Sequence, residues 1–194
     1  MATLAMLTSK AQQIISWSES DRHYLLDNLI RSRNELIKET EYLSDAQWNF
    51  KESPDRWSIK EIVEHIAIWE LLLQREVSMA LFAGPHPDWS NNNSDSVILG
   101  FIMEQNPHIA TEYTVPFTFT VPMGLNSGES NVKWFLKMRN ESIDFLNKTS
   151  QNLRNYYLKQ GRNNLHQVYI TTFGHTDRHL RQIRKVKQHP NYPK

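Results

Sequence analysis

The chain contains no cysteine among its 194 residues. That excludes a disulfide, a thiolate nucleophile and a Cys-ligated metal, so any site metal must be held by His, Asp or Glu. An excess of one charge is also missing: 22 Lys and Arg stand against 21 Asp and Glu, for a formal net charge of +1. A near-neutral surface argues against a broad electrostatic footprint for nucleic acid. No apolar run reaches the ~18 residues of a membrane span. Met1 to Leu7 are mildly apolar, but no basic region precedes them and they lead into Thr8-Ser9-Lys10. They do not read as a signal peptide, and the expectation is a cytoplasmic protein without a membrane partner. The remaining composition, 39% hydrophobic and 22% charged, belongs to a soluble globular chain rather than a disordered one. The length suits a single domain spanning 1–194 with a proper core.

Helical periodicity is the dominant pattern. A first helix is predicted over residues 20–43, with Leu25, Leu26, Leu29, Ile30, Leu36 and Ile37 as its apolar stripe. Ser44-Asp45-Ala46-Gln47 has the form of a capping box and starts a short helical turn. Ser58 and Glu61 form a second box opening a helix over 58–82, which stops at Gly84-Pro85. Its stripe is Ile59, Ile62, Val63, Ile66, Trp69, Leu72 and Leu73. Two more long helices are predicted over 129–148 and 165–188. Residues 1–18 read as a loose arm or short helix, and Val97 to Gln105 as a short helix closed before Pro107. Thr114 to Met123 alternates like a strand but has no partner strand, so it reads as an ordered loop packed across the bundle. Leu153, Tyr156 and Tyr157 are expected to tuck under the connector before the last helix. The fold expected is all-α: a four-helix bundle, core about 20–188, with a long irregular connector between the second and third long helices.

His175 and His179 stand four apart in the last helix, on one face and one turn from each other. The stripe Leu165, Val168, Thr172, His175, His179, Gln182 and Val186 places both on the inward side. Buried imidazoles need partners, and a shared metal or two separate hydrogen bonds would serve equally. The pair is not a zincin motif, which requires Glu after the first His; here Thr176 follows, and Asp177 points to another face. Two ligands are also fewer than the about three that a catalytic zinc takes from its protein. His65 falls beside the stripe of the second long helix, with Glu61 one turn before it. Glu61 is a candidate general base or ligand-orienting group, or only the N3 residue of its cap. Trp57 and Trp69 read as packing aromatics. Arg178, Arg181, Arg184, Lys185 and Lys187 read as a solvated basic face at the negative end of a helix. His166 is half a turn out of phase with His175, and His23, His86, His108 and His189 read as surface or loop residues.

Two segments carry a family resemblance. Asn49-Phe50-Lys51 and Pro54-Asp55-Arg56-Trp57-Ser58-Ile59-Lys60-Glu61-Ile62-Val63-Glu64-His65 resemble the start of the second bundle helix in DinB-like (YfiT-type) proteins. His175-Thr176-Asp177-Arg178-His179-Leu180-Arg181-Gln182-Ile183 is similar to their last-helix motif, and Val115-Pro116-Phe117, Pro122-Met123-Gly124 and Asp144-Phe145-Leu146 to intervening segments. The resemblance implies a four-helix bundle holding a divalent metal, usually zinc or nickel, on His65, His175 and His179. Relatives of this type include transferases and isomerases that use bacillithiol, mycothiol or glutathione. The expected function is metal-assisted activation of a low-molecular-weight thiol cosubstrate (an S-transferase) or of water acting on a small-molecule substrate. The alternatives are a metal-dependent hydrolase and a non-catalytic, metal-stabilised, small-molecule-binding or stress-related bundle. No catalytic residue is implied beyond Glu61 as a candidate, and a homodimer is expected. Metal affinity is expected to fall as pH drops through ~6.5, where an ordinary imidazole takes up a proton.

Overall fold

Hydroxyl and amide side chains start each α-helix among the described residues, because the first N–H groups of a helix have no partner within it. The computed structural model describes residues 16–91, 93–104 and 118–194. Ser18 caps α1 (Glu19–Thr40), Ser44 caps α2 (Asp45–Asn49), Ser58 caps α3 (Ile59–Ala83) and Ser94 caps α4 (Asp95–Met103). Ser127 caps α5 (Gly128–Lys148) and Asn164 caps α6 (Leu165–Lys187). At α1, α2, α3 and α6 the third helical residue bonds back to the cap, completing a box. Short 3₁₀ turns lie at Thr118–Thr120 and Leu153–Asn155. The predicted all-α bundle is the one observed. The N-terminal arm to residue 15, His108 and Pro107, the predicted end of α4 at Gln105 and residues 114–117 lie outside the described residues.

The four long helices form a square. α1 packs against α5 and α6, and α3 against the same two, so α1 and α3 lie diagonally. α4 crosses α6 at Gly174, where a Cβ would lie 3.1 Å from Leu99 and 3.3 Å from Ile102. Leu153, Tyr156 and Tyr157 are buried under the last connector, as expected. The predicted stripe of α1 is too wide: Ile30 is half-buried and Ile37 is exposed. The angular drift of the helix carries these residues past the seam that Leu25, Leu29 and Leu36 fill. α1 also ends at Thr40 rather than Leu43, because Tyr42 takes a left-handed φ of 58° that turns the chain toward Ser44.

A polar layer divides the apolar core in two. One half gathers Leu25, Leu29, Leu73, Leu146, Val168 and Phe173; the other Leu36, Ile62, Ile66, Phe135, Ile183 and Val186. Between them lie Ser32 of α1, Glu70 of α3, Arg139 of α5 and Thr176 of α6, each buried. Arg139 uses all five of its donors there. Its Nε and one Nη hold both oxygens of Glu70, and that Nη also reaches Thr176 Oγ1 at 2.8 Å. The other Nη donates to the Leu29 carbonyl at 3.0 Å and to Ser32 Oγ at 2.7 Å. One side chain thereby fixes the register of all four long helices.

The basic turns of α6 are not a solvated face except at Lys185, which is exposed. Arg184 meets Glu35 at 2.8 Å and Glu39 at 2.7 Å, Lys187 meets Glu39 at 2.9 Å, and Arg31 of α1 meets Asp177 at 2.6 Å. Arg178 donates to the carbonyl of Glu104 at 2.8 Å and Arg181 to that of Met103 at 2.8 Å, covering the acceptor end of α4. These cations are spent on the fold, because acidic residues of α1 and the last carbonyls of α4 face them across the seam.

Removing Arg139 should strand the buried carboxylate of Glu70. Arg139→Ala is expected to destabilise the fold by about 3–5 kcal/mol, whereas Arg139→Met combined with Glu70→Leu should stay much nearer the parent. Urea unfolding at pH 7 measures both; an Arg139→Ala variant as stable as the parent would remove the layer from the account.

Candidate metal centre

His65, His175 and His179 converge one turn away from the Arg139 layer. His65 reaches the centre because Ser58 and Glu61 set where α3 begins, and seven residues on the chain faces α6. The imidazole ring of His65 lies 5.2 Å from that of His175 and 4.8 Å from that of His179, and the rings of the i,i+4 pair are 4.5 Å apart. One ligand-capable nitrogen from each of the three lies within 4.8 Å of the other two. His65 and His179 are buried and His175 is partly so.

Hydrogen bonds decide which nitrogens face inward. His65 Nδ1 is 2.7 Å from the Thr120 carbonyl, and His179 Nδ1 is 2.8 Å from Gln182 Oε1. A carbonyl oxygen only accepts, so both Nδ1 atoms carry the proton and both Nε2 atoms present lone pairs. The Nε2 atoms of His175 and His179 are 3.1 Å apart. Two imidazole nitrogens bound to one tetrahedral zinc at 2.0–2.1 Å would stand about 3.3 Å apart. A lone hydrogen bond between His175 and His179 would also fit that spacing, but it leaves the Nε2 of His65 without a role. Three neutral nitrogen donors suit a first-row divalent ion, and the outer hydrogen bonds are those that orient metal-bound imidazoles. The cluster consists of three imidazoles among the described residues, and three is the number of protein ligands that catalytic zinc sites use.

Electrostatics keep the rings of His65 and His175 neutral. Burial pushes His65 down to about 4, opposed by the bond to Thr120 and assisted by the charge of Arg178. His175 is held well below the ordinary range by loss of water around its ring, then by its two histidine neighbours and by Arg178 and Arg139. Proton competition for the folded site therefore lies well below the ~6.5 expected of a free imidazole. The environment, which water would otherwise screen, accounts for that difference.

Other residues singled out in the sequence sort as follows. Glu61 is committed to its cap: one oxygen accepts from the Ser58 N–H at 2.8 Å and the other pairs with Lys51 at 2.8 Å. Burial would raise its pKa, but Lys51 and Ser58 hold it below the usual carboxylate value. Trp57 and Trp69 do pack on the core, yet they also wall the centre, Trp57 at 4.8 Å from His65 and Trp69 at 5.1 Å from His175. His166 faces elsewhere, as its phase predicts, but it is fully buried: its Nδ1 accepts from Trp17 at 3.1 Å and its Nε2 meets Asp95 at 3.3 Å. His23 is exposed, and His86 and His189 are half-buried. Thr120, Gln182 and Glu64 were not singled out as site residues. Only Gln182 had a signal, as the i+3 neighbour of His179 on the same stripe.

The depressed imidazoles tie stability to pH. In the unfolded chain these histidines take up protons near ~6.5, whereas His65 does so only near 4 in the fold. Between those values the unfolded state binds more protons, so stability is full above ~6.5 and is lost as pH falls toward 4. For His65 the loss is on the order of 3 kcal/mol. Urea unfolding of chelator-treated protein between pH 7 and 5 should show this slope, and His65→Ala should flatten it whatever its effect on absolute stability. An unchanged slope in that variant contradicts the neutral-imidazole reading.

A family model described as the DinB superfamily matches residues 28–183, from the third turn of α1 past the last of the three histidines. No curated protein and no solved structure matches this chain. With the match covering most of the chain and all four long helices, this protein belongs to the DinB superfamily.

Proposed function

We propose that this chain is a divalent-metal enzyme whose tri-His centre activates a low-molecular-weight thiol for transfer to the electrophilic carbon of a small molecule. The observation that carries this reading is the convergence of His65, His175 and His179, with two of the three rings turned inward by bonds at Nδ1. A zinc or nickel ion bound there would supply the positive charge that lowers the pKa of a bound thiol or water. Everything else falls to the protein. His65 and His175 stay neutral and available through burial, and Arg178 adds a positive field that favours an anionic reactant. Trp57 and Trp69 keep the centre partly dry, which strengthens each charge interaction within it.

What favours thiol over water as the nucleophile is the family resemblance, which includes thiol-dependent transferases. The chain has no thiol of its own, so a cosubstrate must bring one. Both carboxylates on α3 close to His65 in sequence are engaged, Glu61 in its cap and Glu64 on backbone N–H groups. A hydrolase of this form would therefore need its carboxylate base from farther along α3, where Glu76, raised by burial, lines the groove beside Trp69. A groove of about 460 Å³ leads from Trp69 along α3 past Leu72, Glu76 and Met79 to Tyr157, a size for a small molecule.

Zinc- or nickel-loaded protein should accelerate the reaction of bacillithiol, mycothiol or glutathione with a chromogenic aryl halide, and His65→Ala should abolish the excess rate. Acceleration of ester or amide hydrolysis alone would replace the transferase with the hydrolase. No acceleration of either, with a fourth protein ligand found on the metal, would leave a non-catalytic binding bundle.

A further inference from the structure

Glu64 precedes His65 and takes no part in the cluster, yet it is buried at 4% exposure with no cation against it among the described ion pairs. A buried carboxylate needs donors on both oxygens. Here they are backbone groups: the N–H of Met123 lies 2.8 Å from Oε1 and that of Gly124 lies 2.9 Å from Oε2. Consecutive N–H groups can aim at one anion only where the backbone turns sharply. Gly124 makes that turn with φ 68°, a value that side chains resist. Four residues before Gly124, the carbonyl of Thr120 accepts from Nδ1 of His65. Neighbouring side chains of α3 thus grip one segment at two points, Glu64 through donors and His65 through an acceptor.

The geometry points to Glu64 as a positioning residue of the metal centre. It acts through the backbone of residues 120–124, and the account of its purpose rests on the metal reading above. With the segment pinned by Glu64, the Thr120 carbonyl is a fixed acceptor that keeps the His65 proton on Nδ1 and turns Nε2 toward His175 and His179. Without the pin, the carbonyl drifts, and His65 samples the other tautomer, whose Nε2–H repels a cation. His179 is oriented separately by Gln182, so it reports whether an effect is local to the segment.

Two substitutions loosen the grip from opposite ends. Glu64→Gln keeps the shape but turns an NH₂ toward one of the two N–H groups, and Gly124→Ala resists the left-handed turn. In the metal-free parent at pH 7.5, ¹⁵N–¹H spectra of the imidazoles should show His65 as the Nδ1–H form. Both variants should keep the parent's helical circular dichroism and show His65 as a mixture of tautomers, with His179 unchanged. Zinc affinity, measured against a chelating dye, should fall about 10–100-fold in each. A pure Nδ1–H form of His65 in both folded variants overturns the proposal, as does an equal change at His179. If the parent binds no zinc while the tautomers shift as described, the metal reading fails and the positioning role of Glu64 on the ring stands.

Discussion

The fork of Arg139 is the constraint from which the rest of this structure follows. A guanidinium at 0% exposure is tolerable only if every N–H finds a partner. The five partners come from α1, α3 and α6 around α5. A slip of any helix by one turn would break at least one bond to a buried charge, so the layer specifies register where the two apolar halves would accept several packings. Thr176 sits beside His175 and Glu70 beside Trp69, so that register is also what sets the histidine pair of α6 opposite His65.

The imidazole cluster inherits that precision and adds its own. Burying three imidazoles is unfavourable unless the nitrogens are accounted for. Thr120 and Gln182 take two of the outer ones, which turns the Nε2 lone pairs of His65 and His179 inward, with Nε2 of His175 3.1 Å from that of His179. Burial and the charge of Arg178 suppress proton uptake by His65 and His175, which leaves neutral nitrogen donors of the kind that divalent cations take. Trp69 is shared between the cluster and the groove, its ring 5.1 Å from that of His175 and its side chain at one end of the groove along α3.

Much of this was legible in the residues, for local reasons. The helix starts at Ser44 and Ser58 follow from capping chemistry within four residues, and the ends of α3, α5 and α6 fall within a residue of their predicted places. The histidine pair was visible as an i,i+4 repeat, and His65 joined it through the family resemblance. What was hidden is non-local. Arg139, between Met138 and Asn140, looks like a solvent-facing charge until Glu70 and Thr176 arrive from other helices. Glu64 looks like any polar helix residue, because its partners are backbone N–H groups 59 and 60 residues away. The cations of α6 looked solvated because their partners on α1 and α4 are distant in sequence. His166 looked idle although it is buried against Trp17 and Asp95.

Metal stoichiometry across histidine variants tests the central claim most directly. Elemental analysis of protein loaded with zinc and freed of excess should give one ion per chain for the parent. It should also give one for His166→Ala, whose ring is buried outside the cluster, and none for His175→Ala. Equal metal content in His166→Ala and His175→Ala, or none in the parent, would contradict the account.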